Sequence, residues 1–268
     1  MSRRFILKLF KNLYAYRELL KTNIKKDIRG RYKGSFLGIL WSFINPLLQV
    51  VVYWIVFPYL MGRGAMDGEN YLIYLITGLI PWSFFMTTVA SGTTIIKANA
   101  GIIKKVYFPR EILPISTVAS GLVNFFISCI IIICFLIGTG TGISVQILLV
   151  PVIALVEATL ALGIVFILSA LNAYIQDIEN IVQFILNMLM YGTPIIYQLK
   201  QFSSAGLLYK LIELNPMTVI INAYRDAFMY HEWFDWKPVA CVFALGVVTT
   251  AIGYFVFKKM EKGFAEQL

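Results

Sequence analysis

Few side chains in this chain have a type and setting that could do chemistry. Glu157 is the one acidic residue deep inside an uncharged apolar stretch, and an ionisable group within a membrane is costly enough to be a functional suspect. A proton-coupled carrier would need a relay of such groups, so Glu157 is expected to pair with a hydroxyl or a water inside a helix bundle. His231 is the single histidine and has no evident catalytic partner. Cys129, Cys134 and Cys241 lie in apolar runs without a CxxC spacing or a neighbouring histidine pair, which points to neither a disulfide framework nor a metal site. GxxxxGK[ST], HExxH and GxSxG are all missing. The expectation is a chain that is not an enzyme and holds no cofactor or metal of its own.

Three other groups of residues are suited to binding. The first is the stretch KANAGIIKKVYFPREILP at 97–114, which lies between two long apolar runs. Lys97, Lys104, Lys105 and Arg110 make it basic, Ile102, Ile103, Val106 and Phe108 give it an apolar side, and Pro109 and Pro114 stop any helix. It reads either as a loop whose positive charge fixes topology or, more sharply, as a docking element for a separate motor subunit. The second is the cluster Lys25, Lys26, Arg29, Arg31 and Lys33, which either anchors the chain at anionic headgroups or also receives an anionic lipid-linked substrate. The third is aromatic. Tyr53 and Phe57 are one helical turn apart, as are Trp82 and Phe85, with Trp54, Tyr191 and Tyr197 as further candidates. Such faces stack on the CH surfaces of sugar rings, while Tyr and Trp keep a polar handle for hydroxyls. An interfacial belt would account for many of the same residues.

These residues must be held by membrane-spanning elements. Of the 268 residues 59% are hydrophobic and 14% charged, and the mean hydropathy is +0.77, so an all-α integral membrane protein is expected. The net charge of +9 is placed at segment ends, where it suits lipid headgroups and not nucleic acid. Residues 36–61 and 71–96 are each uncharged for 26 residues, about 39 Å as helix. The uncharged run 112–156 is too long for one crossing, and GTGTG at 138–142 supplies a turn, giving a third span and a fourth that reaches about Tyr174. A fifth is expected over 180–197 and a sixth over 238–257. Eighteen of the 23 lysines and arginines then fall on one side, so both termini and the 97–110 loop are expected to be cytoplasmic. Residues 1–34 carry charges every few positions with Phe5, Leu9, Leu13, Tyr16, Leu20 and Ile24 at helical spacing, an amphipathic interfacial helix. LNPMTVIINAY at 214–224 is apolar yet too short to cross, so a re-entrant or interfacial helix is expected within the outer region 198–237.

The runs RYKGSFLGILWSFINPL (31–47), NAGIIKKVYFPREILP (99–114), DIENIVQFILNMLMYGTPIIY (177–197) and LNPMT (214–218) resemble, in order, the permease subunit of bacterial ABC exporters for lipid-linked polysaccharide. The resemblance covers nearly the whole chain. It implies export of an undecaprenyl-linked glycan of the O-antigen, capsule or teichoic acid type across the cytoplasmic (inner) membrane. It also implies a homodimer of six-span subunits, spans 35–268 forming the transmembrane domain, and two separate nucleotide-binding subunits that hold ATP and magnesium. Carried over residue by residue, Asn99, Ile102, Ile103, Lys104, Lys105, Phe108 and Arg110 would form the coupling helix that fits the ATPase. The LNPMT region would belong to outer gate helices, and Arg29, Arg31, Tyr32 and Lys33 would meet the lipid pyrophosphate. Gln176 stands before Asp177 where family members often carry arginine, which weakens a coupling role for that second loop. The nearest rival is an ABC permease for a drug or simple lipid; a membrane enzyme on lipid-linked sugars lacks clustered acids or histidines, and a secondary transporter lacks a relay.

Overall fold

The computed structural model describes residues 14–30, 41–56, 70–199 and 206–267. Phe57, Arg31, Tyr32 and Lys33 lie outside the described residues, as does the side chain of Arg29. All regular elements among the described residues are helical.

Helix α1 (Arg17–Gly30) carries the charged end of the amphipathic segment, and α2 (Trp41–Ile55) is the described part of the first expected span. Helix α3 (Tyr71–Ala98) is 28 residues long and starts at Asn70, whose side chain accepts from the Leu72 amide at 3.1 Å. Eighteen of its 28 residues are buried, more than in any other described helix, which makes it the central helix. After a short α4 (Ala100–Ile103), α5 (Ile112–Gly138) returns across the molecule. Gly140 and Gly142 then take φ of 75° and 86°, a left-handed backbone that glycine alone adopts without steric cost. The turn expected at 138–142 is therefore where the chain reverses. A 3₁₀ segment (Val145–Leu149) leads into α6 (Val150–Tyr174).

Helix α7 (Ile178–Tyr191) has 14 residues, about 21 Å, against a hydrocarbon core of about 30 Å. It stops six residues short of the expected end of the fifth span because Gly192, Thr193 and Pro194 take the chain out of helix, and Pro194 disfavours helical backbone at the residue before it. The chain then forms α8 (Leu207–Leu214), breaks at Asn215, and continues as α9 (Pro216–Arg225), a π-helical turn (Asp226–Tyr230) and α10 (Trp236–Met260). A 3₁₀ turn (Glu261–Gly263) and α11 (Phe264–Gln267) close the described chain.

Among the described residues four elements are long and apolar enough to cross a membrane: Tyr71–Ala98, Ile112–Gly138, Val145–Tyr174 and Trp236–Gly263. They run alternately, so the loops at 99–111 and 175–177 share one end with the C-terminal segment, and the turns at 139–144 and 226–235 share the other. Helices α6 and α10 make the most extensive pair. A Cβ on Gly163 would lie 2.5 Å from the Thr250 amide nitrogen and one on Gly253 2.5 Å from the Gly163 carbonyl, so the backbones touch, as small residues permit between membrane helices. Thr250 adds an interhelical hydrogen bond of 2.9 Å to the Thr159 carbonyl.

Candidate coupling and conduit sites

The loop after α3 is built by Asn99. Its backbone and side-chain amides bond back to the carbonyls of Ile96 and Ile95 at 3.2 and 2.8 Å, ending α3, while its side-chain oxygen accepts from Lys26 of α1 at 3.4 Å. One turn of α4 follows, then an irregular stretch over 106–109. Within it Val106 and Tyr107 are exposed and Phe108 is buried. Ile103 and Phe108 are buried among Ile96, Phe166, Ala170, Tyr254, Phe257 and Phe264. Arg110 is half-buried, donates to the Glu261 carbonyl, and sits 5.9 Å from the Phe264 ring. The exposed tip consists of Ile102, Lys104, Lys105, Val106 and Tyr107, with Tyr107 95% exposed. Of the seven residues assigned to this loop, Ile102, Lys104 and Lys105 face solvent, while Asn99, Ile103 and Phe108 root the loop in the fold. Tyr107 was missed, and no spacing before Pro109 marks it, since Val106 and Tyr107 are both exposed.

At the same end Lys97 lies 3.8 Å from Glu179 of α7 and 3.3 Å from the Asn172 side-chain oxygen. The Asn172 amide donates to the Thr93 carbonyl at 3.1 Å. The start of α7 is thus tied to the end of α3.

The aromatic candidates fall into two settings. Trp54 and Tyr191 are exposed, and Tyr53 and Tyr197 half-buried, with the Tyr197 hydroxyl donating to the Tyr191 carbonyl at 3.0 Å. Trp82 and Phe85 lie inside the bundle with ring centroids 5.9 Å apart, Trp82 being 2% exposed. The structure does not bring these six to one surface.

At the opposite end a buried polar network holds the short helices. Glu157 is fully buried on α6, and its Oε2 accepts from the Tyr224 hydroxyl of α9 at 2.9 Å, the hydroxyl partner its lone position called for. Arg225, also buried, donates to the carbonyls of Pro194 and Ile195 at 2.7 and 3.1 Å and stacks 3.4 Å from the Tyr74 ring centroid. Gly78 makes the room: a Cβ there would stand 2.9 Å from the guanidinium. Tyr74 donates to the carbonyls of Pro194 and Tyr197, Tyr71 to that of Ile196, and Asn215 to that of Gly192. Non-helical backbone at membrane depth is tolerated only when its polar groups are satisfied in this way. The helix expected at 214–224 therefore exists as α9, packed inside the bundle. His231 bonds Ser144 at 2.8 Å and the Thr141 carbonyl at 3.0 Å, joining the turns at 139–144 and 226–235. Among the described residues no cluster of histidine, cysteine and acidic side chains is assembled that could hold a metal ion.

Long buried helices, a rooted basic loop at one end and a satisfied non-helical segment between short helices define a multi-pass helical membrane protein. Residues 18–229 match the family described as ABC-2 type transporter, and the chain belongs to that family. It is similar to the O-antigen export system permease protein RfbA of Myxococcus xanthus, 31% identical over 98% of this chain and 100% of the relative, and to that of Klebsiella pneumoniae, 33% identical over 98% and 99%. The polysialic acid transport protein KpsM of Escherichia coli is 23% identical over 88% of this chain and 91% of the relative.

Proposed function

We propose that this chain is the permease subunit of an ATP-driven ABC exporter carrying lipid-linked polysaccharide across the bacterial inner membrane, with ATP and magnesium held on a separate ATPase. The observation that carries this reading is end-to-end similarity to O-antigen export permeases, spanning 98% of this chain and 100% of the Myxococcus xanthus relative. The relatives' names favour a glycan over a drug or a simple lipid. The four long apolar helices among the described residues support the multi-pass location.

The finer reading is a homodimer of six-span subunits with both termini cytoplasmic, served by two ATPase subunits and exporting an undecaprenyl-linked O-antigen, capsule or teichoic acid type of chain. Its coupling element is the tip Ile102 to Tyr107. Two lysines flanked by exposed Ile102, Val106 and Tyr107 suit a cleft on a soluble partner with acidic and apolar walls. Because Ile103 and Phe108 are buried in the fold, a push on the tip acts on packed helices and not on a loose loop. Packed interfaces pass from one discrete arrangement to another when displaced. The lipid pyrophosphate would be received near Arg29, Arg31, Tyr32 and Lys33, and the glycan would slide on aromatic faces.

Deleting the gene for this chain in its host, and restoring it on a plasmid, tests the reading. The deletion is expected to leave lipid-linked glycan inside the cytoplasmic membrane and none at the surface, with export restored by the plasmid. Normal surface glycan in the deletion strain would contradict it.

A further inference from the structure

We propose that the C-terminal segment, residues 258–267, is a brace that positions the coupling loop, with Lys258, Glu111 and Phe264 as positioning residues for the transmission of force. The inference rests on the permease reading above and adds a third attachment to it. A loop between α3 and α5 needs only those two helices to hold it, yet its exit is fastened to the end of α10.

Glu111 directly follows the loop and its carboxylate is 0% exposed, while Lys258 in the last turn of α10 places Nζ 2.6 Å from Glu111 Oε2 and 2.9 Å from Glu261 Oε2. A buried carboxylate is held in place by its partner, since separating them leaves a charge with neither water nor counter-ion. Arg110, one residue earlier, donates to the Glu261 carbonyl, and its guanidinium lies over Phe264. Phe264 is fully buried against Phe257 at 5.4 Å and Tyr174 at 6.1 Å, and the Tyr174 hydroxyl bonds the Met260 carbonyl at 2.7 Å. A Cβ on Gly263 would collide with that same hydroxyl. The segment is therefore wedged between the loop and the end of α6, and α11 touches α4 itself.

The consequence concerns what moves. Helix α10 lies in backbone contact with α6 at Gly163 and Gly253, so displacing the tip displaces α10 and α6 together through the brace. Without it, the same displacement is absorbed by bending at 104–110.

The test uses the complete transporter with its ATPase, in proteoliposomes, reading glycan exported per ATP hydrolysed beside ATPase co-purification. Lys258→Met, the paired Glu111→Gln/Lys258→Met and the exchange Glu111→Lys/Lys258→Glu, the last made with Glu261→Gln so that no two carboxylates face each other, form the series, with Phe264→Ala independent of the ion pair. Lys258→Met and Phe264→Ala are expected to co-purify with the ATPase and to lose roughly tenfold in export per ATP, the scale of a typical coupling energy, with partial recovery in the exchange. The paired variant leaves no charge at the fully buried Glu111 position and only the partly exposed Glu261 carboxylate without its lysine, and is expected to accumulate even if Lys258→Met does not. Unchanged export per ATP in the paired variant and in Phe264→Ala would overturn the brace. So would failure of both to accumulate, which would make the segment a folding element only. A wild-type chain that neither binds an ATPase nor exports glycan would instead overturn the permease reading.

Discussion

The hydroxyl of Tyr224 donates to Oε2 of Glu157 across 2.9 Å, joining α9 to α6 where both residues are closed to solvent. The Tyr224 ring packs 5.4 Å from Phe125 of α5, so three helices meet at this bond. Tyr224→Phe leaves the Glu157 side chain without its hydrogen-bond donor and is expected to cost about 1–3 kcal/mol, whereas Glu157→Gln keeps an acceptor and is expected to cost less than about 1 kcal/mol. Thermal unfolding in detergent measures both, and equal effects would contradict this.

The contact of α6 with α10 makes a contrast between two glycines. Gly163→Ala puts a Cβ 2.5 Å from the Thr250 amide nitrogen, which forces the helices apart at a cost of about 1–3 kcal/mol. Gly138→Ala meets nothing within 4 Å and is expected to be neutral or to stabilise α5 by up to about 1 kcal/mol. The unfolding midpoints of the two variants should fall on opposite sides of the wild type, or Gly138→Ala should match it.

Much of this was legible in the sequence because it depends on local chemistry. Glycines at 140 and 142 marked the reversal between α5 and α6, and uncharged length marked the long helices. The end of α7 was not legible, because the backbone at 192–197 is satisfied by Tyr71, Tyr74, Asn215 and Arg225, residues remote in sequence. Arg225 itself read as an outer-loop charge, yet it is buried, since Gly78 opens a place for it. In the loop, residue type identified a basic amphipathic element, but which residues root it and which face outward depends on Phe264 and Phe257, supplied by the other end of the chain.

Burial pushes the Asp226 carboxyl up to about 6 from the ordinary 3.8, with Glu232 adding to the rise and Arg225 opposing it. The folded chain therefore holds this proton more tightly than the unfolded chain. The stability linked to it is fully present below about pH 3.8 and is lost as the pH rises through about 6. The difference between wild type and Asp226→Asn isolates the contribution of this carboxyl. The variant is expected to show a flatter fall in unfolding midpoint between pH 4 and pH 7, and an unchanged slope would contradict the assignment.

Among the aromatic residues, burial separates effects on stability from effects on transport. Trp82→Ala empties a packed site and is expected to cost about 3–5 kcal/mol. Trp54→Ala and Tyr191→Ala remove exposed rings and are expected to change stability by less than about 0.5 kcal/mol while slowing export of long glycans. Unfolding curves set beside a chain-length profile of the exported material distinguish the two. Full transport in both surface variants would remove them from the conduit.

The central claim is that this chain passes glycan when an ATPase acts on its 102–107 tip. Inverted membrane vesicles carrying the chain and its ATPase, supplied with lipid-linked glycan on the outside, measure that directly as ATP-dependent protection of glycan in the lumen. Protection is expected with the wild-type chain and not with Lys104→Glu/Lys105→Glu, since reversed charge at an interface costs several kcal/mol. Glycan protected equally by the double variant, or by vesicles lacking the chain, would contradict the account.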